Sequence, residues 1–225
     1  MVIRIVCILI LLSGSLGAQS LFIGNETLPK DAVVLFDGKG LSEWIHLDGK
    51  PADWKLVNDY MEVRGGNIRT KREFTDCQVH VEFWLPSMPN ASGQAKANSG
   101  VYLQGRYEVQ VLDSYGLKSQ SNDCGAIYGV SAPLVNACRP PEQWQTYDII
   151  FHAPRFEGGK QISKARMSVL QNGVWIQDNV VVPEATAAAT DSDVTKPGPI
   201  MLQDHGNPVR YRKIWIRDLT ADGRR

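Results

Sequence analysis

From residue 33 onward, apolar and polar side chains alternate with a period of two in short runs broken by Gly, Pro or Asn. A period of two is that of an extended chain, whose successive side chains point to opposite faces. The runs at 54–63, 77–85, 99–104, 106–112, 146–152, 164–170, 174–178, 199–203 and 213–219 are rich in β-branched and aromatic residues and read as strands. Between 164–170 and 174–178 lies Gln171-Asn172-Gly173. Asn-Gly supplies the two positive-φ positions of a tight hairpin turn. No run of helical period is long enough to name a helix. The pattern therefore predicts an all-β chain, a two-sheet antiparallel sandwich or a barrel, with less than about a tenth of its residues in helix. Segments 86–97 and 183–197 carry no such period and read as long surface loops bordering the functional face.

The same alternation assigns faces. In 77–84, Cys77, Val79, Val81 and Phe83 share the apolar side and leave Gln78, His80, Glu82 and Trp84 on the other. In 106–112, Tyr107, Val109 and Val111 oppose Arg106, Glu108 and Gln110. Val101 and Leu103 point inward, so Tyr102 and Gln104 point out. Ile200 and Leu202 do the same for Met201, Gln203 and, if the extended path continues, His205. These outward sets combine acids, amides, rings and a histidine. Rings stack on pyranose faces while amides and acids take up hydroxyls, so the sets predict a carbohydrate groove.

Composition narrows the partners. The chain has 225 residues, 43% hydrophobic and 21% charged, with 24 basic and 24 acidic side chains. That is one substantial globular domain with no basic excess to steer it to nucleic acid. Arg4 precedes the apolar run 5–12 and then the small residues Ser13, Gly14, Ser15, Gly17 and Ala18. This order predicts a secretory signal over 1–18, too short to span a membrane, a polar leader over 19–30, and a domain over 31–221 that is secreted or periplasmic. Export permits disulfides, and Cys124 and Cys138 stand 14 positions apart. A bridge between them would add roughly 3 kcal/mol by loop entropy. Cys77 reads as a small buried apolar residue. No CxxC or HxxxH spacing implies zinc.

Seven blocks then resemble, in collinear order, the 3-keto-disaccharide hydrolase domain family, long catalogued as a domain of unknown function. They begin with Leu35-Phe36-Asp37-Gly38-Lys39-Gly40-Leu41-Ser42-Glu43-Trp44, then Thr70-Lys71-Arg72-Glu73-Phe74 with Glu82-Phe83-Trp84. Asn98-Ser99-Gly100-Val101-Tyr102-Leu103 and Tyr107-Glu108-Val109-Gln110-Val111-Leu112-Asp113 follow, then Gly125-Ala126-Ile127-Tyr128-Gly129 and Trp144-Gln145-Thr146-Tyr147-Asp148. The Asn172-Gly173 hairpin and Gly198-Pro199-Ile200-Met201-Leu202-Gln203-Asp204-His205-Gly206 close the series. The resemblance implies a concanavalin-like jelly-roll sandwich acting in bacterial glycan catabolism on sugars oxidised at C3 by a separate dehydrogenase. The chain departs from the family pattern at Cys77, Cys124 and Cys138.

A 3-keto group acidifies the C2 proton, so a base can remove it, the C1 substituent can leave with a proton from an acid, and water can add back. Glu108 is the candidate base and His205 the candidate acid or enolate donor. Asn98, Tyr102, Gln104, Arg106, Gln110, Gln203 and Glu82 are candidate substrate-binding groups, Glu82 being also an alternative base. A two-carboxylate glycosidase is a second reading, weakened because Gln110 stands where sandwich glucanases place their second acid and dependent on a Glu82–Glu108 pair. A non-catalytic carbohydrate-binding module is the third. No cofactor is required, although His80, Glu82, Glu108 and His205 could hold a divalent metal if they converged. The leader itself is directly testable. Protein exported by a producing cell should begin at Gln19 by N-terminal sequencing, and a membrane-held chain still carrying Met1 would refute the signal.

Overall fold

The computed structural model describes residues 28–220, so the expected signal over 1–18 and most of the polar leader over 19–30 lie outside the described residues. Fifteen strands and a single 3₁₀ turn, Gly93–Ala95, account for the regular structure. An eight-stranded sheet runs in the spatial order β13 (Val174–Val182), β12 (Ala165–Gln171), β9 (Trp144–His152), β6 (Cys77–Trp84), β15 (Arg210–Asp218), β4 (Tyr60–Glu62) and β3 (Lys55–Val57), with β1 (Val33–Phe36) also on β15. A five-stranded sheet has the order β2 (Trp44–His46), β5 (Ile68–Thr70), β14 (Met201–Leu202), β7 (Asn98–Leu103) and β8 (Tyr107–Leu112). The short hairpin of β10 (Arg155–Glu157) and β11 (Lys160–Ser163) stands apart. All pairings in the two large sheets are antiparallel. Their apolar faces close on one core, the two-sheet sandwich that the alternation and the resemblance implied.

Burial follows the period of two. Cys77, Val79, Val81 and Phe83 of β6 and Tyr107, Val109 and Val111 of β8 are all buried in that core. Tyr107 of the small sheet meets Phe151 of the large one at 5.2 Å between ring centroids. Two tyrosines of the large sheet also reach through the core. The Tyr147 hydroxyl donates to the Gln110 carbonyl at 2.7 Å, and the Tyr211 hydroxyl donates to Ser99 Oγ at 2.7 Å. Each lets a buried ring end on a polar partner, and together they pin β7 and β8 to the opposite sheet.

Local differences from the sequence reading have local causes. The run 54–63 is two strands, because Asn58 takes φ 50° and turns the chain back at Asp59. Asn172 and Gly173, at φ 52° and 80°, make the expected hairpin between β12 and β13. Asn179, at φ 48°, is a bulge that lets β13 run on to Val182. The block 125–129 contributes only isolated bridges, and 199–203 only the two residues of β14. Strands of three or four residues, such as β1, β2 and β5, are too short to show a period. Cys124 and Cys138 are free thiols that lie side by side and hydrogen-bond to each other. Both sulfurs accept from Gln171 Nε2, at 3.5 and 3.4 Å, and Cys124 Sγ also meets the Tyr147 hydroxyl at 3.0 Å.

The cross-sheet hydroxyls carry the fold prediction. Tyr211→Phe removes one buried hydrogen bond, and Tyr147→Phe removes those of its hydroxyl to the Gln110 carbonyl and Cys124 Sγ, neither opening a cavity. Each should cost about 1 kcal/mol in denaturant-induced unfolding. An unchanged midpoint in both variants would show that the two sheets are held by apolar contact alone.

Candidate functional site

The side of the five-stranded sheet away from the core is built rung by rung. Register places Ile45, Arg69, Met201, Tyr102 and Glu108 on one transverse row, each directly opposite the next on its neighbouring strand. The next row brings Gly100 opposite Gln110, with Gln203 N donating to the Gly100 carbonyl at 3.0 Å. All these positions share the face opposite Val101, Val109 and Leu202, so the core burial of that apolar set orients them.

Glu108 is the centre of this face. It is 3% exposed, and its carboxylate has no cation within 4 Å among the described residues. The carboxylate folds flat over β7 because residue 100 has no side chain. A Cβ there would overlap Glu108 Oε1 and lie 2.8 Å from Tyr102 Cε2. Burial pushes the Glu108 carboxyl up to about 7, and the nearby Tyr102 hydroxyl offsets only part of that. Burial and the Glu108 charge in turn hold the Tyr102 phenol far above its ordinary value, so Tyr102 stays protonated. Its hydroxyl donates to the Ala187 carbonyl at 3.1 Å and accepts from Gln203 Nε2 at 3.2 Å.

The free edge of β8 is covered on both halves. Gln110 N donates to the Ala126 carbonyl at 3.0 Å, Gly125 N to the Gln110 carbonyl at 2.9 Å, and Tyr128 N to the Glu108 carbonyl at 3.2 Å. Glu108 N donates to Thr186 Oγ1 at 3.0 Å, and Thr186 N donates to the Arg106 carbonyl at 2.8 Å. The loop 183–197, read from sequence as bordering the site, is thus a strap along this edge. At the other end an amide cluster gathers. Gln110 Nε2 donates to Gln94 Oε1 at 2.9 Å, and Asn98 Nδ2 donates to the Gln94 carbonyl at 2.9 Å. Asn98 is 1% exposed and its Oδ1 has no partner. A buried acceptor left open is costly and suits a donor supplied from outside.

Of the residues singled out by sequence, Glu108, Tyr102, Gln110, Asn98 and Gln203 come together. His205 lies in the exposed loop that continues β14 along Gly100 and Asn98, where Asn207 Oδ1 accepts from Asn98 N at 3.0 Å. Asp204 fixes that loop by accepting from Gly206 N and Gly66 N, at 2.7 and 2.8 Å. Three residues are placed otherwise. Glu82 belongs to β6 of the other sheet and looks out from the opposite side of the sandwich, paired with Arg212 Nε at 2.6 Å and Lys213 Nζ at 3.0 Å. Period two gave its face correctly but could not say which sheet β6 joins. Gln104 leaves the alternation at φ 54° and donates to the Phe74 carbonyl at 3.1 Å, tying down the β7–β8 turn. Arg106 commits its charge to Asp191 at 2.7 Å and to the Lys196 carbonyl at 2.9 Å in the strap.

His80, beside Glu82 on the far face, bonds Asp148 Oδ1 through Nδ1 at 2.7 Å, so the four possible metal ligands do not converge. Among the described residues no group of three His, Cys, Asp or Glu side chains could hold a metal ion. Arg69 and Gly100 were missed by sequence reasoning. The alternation Ile68-Arg69-Thr70 was the available signal for the first, and three residues are too few to carry it.

The profile of the 3-keto-alpha-glucoside-1,2-lyase-like domain matches residues 31–217. A candidate glycosyl hydrolase of Parabacteroides distasonis has a crystal structure that superposes with a TM-score of 0.79 at 42% identity, covering 86% of each chain. A second from the same organism gives 0.62 at 18% identity, over 86% of this chain and 98% of that one, a likeness of fold. No curated protein matches the chain.

The buried carboxyl makes stability depend on pH in a known direction. Its value near 7 lies above the 4.5 of a free glutamate. The folded state therefore binds the proton more tightly, and this contribution is complete below pH 4.5 and lost as the pH rises through about 7. Unfolding of the wild type and of Glu108→Gln, measured at both ends of that window, should diverge by on the order of 3 kcal/mol in favour of the variant at the upper end. Parallel pH profiles would mean that the carboxylate is solvated.

Proposed function

The chain belongs to the 3-keto-alpha-glucoside-1,2-lyase-like domain family, and on that premise we propose that it cleaves glycosides already oxidised at C3, beginning with removal of the C2 proton by Glu108. The observation that carries the reading is a carboxyl poised near 7, unpaired with any cation, in the middle of a carbohydrate-type face. A base is most effective when its pKa lies near the working pH, because it is then both ionised and strong.

Glu108 takes the proton at C2, made acidic by the neighbouring ketone, and the electron pair becomes an enolate. Collapse of the enolate forms the C1–C2 double bond and breaks the bond from C1 to the glycosidic oxygen, which leaves with a proton. His205, in the exposed loop after β14, is the proposed donor of that proton. Water added across the double bond completes net hydrolysis. The family's description names a 1,2-lyase, an elimination across these two carbons. Asn98 Oδ1 supplies an open acceptor for a sugar hydroxyl, and the Tyr102 hydroxyl and Gln203 Nε2 would turn from the Ala187 carbonyl and from Tyr102 to donate to the enolate. The ketone would come from a separate dehydrogenase, and the leader would place the enzyme outside the cytoplasm. A two-carboxylate mechanism loses its second acid, since Glu82 stands on the other side of the sandwich.

Purified mature protein should turn over a 3-keto-disaccharide and leave the unoxidised parent intact. Glu108→Gln keeps shape and hydrogen bonding but not basicity, so turnover should fall at least ~100-fold with binding preserved. In the wild type, kcat/KM should rise with pH up to about 7 and then level, and this limb should vanish in the variant. Equal cleavage of the unoxidised sugar would defeat the mechanism. Binding without turnover by the wild type would make the domain a binding module.

A further inference from the structure

Glu108 is 3% exposed and Tyr102 0%, which leaves a sugar ring no surface to rest on while the face stays as it is. The strap closes it. The Tyr102 hydroxyl sits beside the Glu108 carboxyl, and the Ala187 carbonyl of the strap caps that hydroxyl at 3.1 Å. Thr186 Oγ1 accepts from Glu108 N at 3.0 Å and donates to the Arg106 carbonyl at 3.0 Å. Further on, Thr190 N donates to the Gly105 carbonyl at 2.9 Å, and Asp191 pairs with Arg106. Both ends of the strap are fixed. Val182 closes β13 in the core, and Gly198 lies so tightly on Gln104 that a Cβ would overlap its carbonyl oxygen. Between them Thr186 is the one buried residue, and the segment 185–190 is otherwise alanine and a second threonine. Lifting this segment exposes little apolar surface, and the hydrogen bonds it gives up can be remade to water or to a sugar. Closure also holds Ala188 at φ 58°, a left-handed conformation that a residue with a Cβ disfavours. A segment fixed at its ends, held by polar contacts and strained in its middle can leave without disturbing the core.

We propose that residues 183–197 are a lid on the Glu108 site, opened at the Ala187–Tyr102 contact when the sugar enters, so that the Tyr102 hydroxyl passes from the lid's carbonyl to an oxygen of the substrate. The inference rests on the reading of Glu108 as the group that meets the oxidised sugar. The ring takes the space that Ala187 has left, and water stays excluded from the carboxyl during proton removal.

The test is a reversible lock. A Cβ on Gly105 would stand 3.6 Å from Thr190 Cβ, within the span of a disulfide. The mature chain carrying Gly105→Cys and Thr190→Cys is oxidised with a small-molecule disulfide, which ties the strap down three residues from Ala187. Relative to wild type treated in the same way, kcat/KM on a 3-keto-disaccharide should fall at least about 10-fold. Binding of that sugar, measured by calorimetry with Glu108→Gln added, should weaken likewise, and dithiothreitol should restore both. Because Gly105 takes φ 65°, where a cysteine is strained, hydrogen exchange of the unsubstituted chain gives a second readout. The amides of Thr186 and Thr190 should exchange at least about 100-fold faster than the paired amides of β7 and β8. Exchange as slow as in those strands, or full binding and turnover by the oxidised variant, would overturn the lid and make the strap a fixed wall, with the catalytic reading intact. Binding without turnover by the wild type would bring down the catalytic reading alone, and loss of that binding in the locked form would still establish the lid. A wild type that neither binds nor cleaves the sugar would bring down the site, and this inference with it.

Discussion

The site depends on one constraint, that the five-stranded sheet is buried on both of its faces where β7 and β8 run. Every residue of those two strands is buried. One face meets the apolar core, as in any sandwich. The other carries Asn98, Tyr102, Glu108 and Gln110, which cannot lose water without finding other partners. Gln94 and Gln203 answer the side chains, while residues 124–128 and the strap answer the β8 backbone. The long loops are thus part of the sheet's hydrogen-bonding, and an edge strand that could otherwise recruit another chain is closed.

Within that arrangement Glu108 is left without a counter-charge, and the contrast with the other sheet shows what this means. On the outer face of the eight-stranded sheet the acids of β4, β6 and β9 are matched. Glu82 has Arg212 and Lys213, Glu62 has Arg210, and Asp148 has His80. The same arginines lie over rings, Arg210 4.0 Å from Trp84 and Arg212 4.0 Å from Trp144. That face is a neutralised, interlocked surface. On the Glu108 face the nearest arginine in sequence, Arg106, is held by Asp191, so the strap removes the cation that would otherwise pull the Glu108 carboxyl down. An unpaired buried carboxyl weakens the folded state at neutral pH. The proposed base role would require such a carboxyl, with stability given up for it locally.

Precision in the site comes from elements that carry no chemistry. Gly100 leaves room for the Glu108 carboxylate to lie against β7. Tyr211 holds Ser99 Oγ from across the core, and Ser99 Oγ donates to the Gln203 carbonyl at 2.6 Å, so the residue that steadies the Tyr102 hydroxyl is itself steadied from the opposite sheet. Asp204 does the same for the loop bearing His205. Glu108 and its neighbours Tyr102, Asn98 and Gln110 are set on strands, while His205 and the groups that tune the carboxyl lie on loops, which favours fixed geometry around Glu108.

The sequence by itself determined the class of fold and the inward or outward sense of nearly every long strand, because alternation with a period of two is a local property that core burial enforces. It also determined the hairpin at Asn172-Gly173, whose positive φ values need no distant partner. It placed Tyr102, Glu108, Gln110 and Gln203 on outward faces for the same reason. Only the tertiary structure decided which sheet each strand joins, and this moved Glu82 from the side of Glu108 to the far side of the molecule. Pairing between strands distant in sequence is a non-local choice that alternation does not encode. The same is true of Gln104, carried off its face by a turn, of the two thiols left unbridged, and of Arg69, whose three-residue strand shows no period. The charge state of Glu108 was decided last of all, since it depends on what surrounds the carboxylate after the strap has closed and not on any residue beside it in the chain.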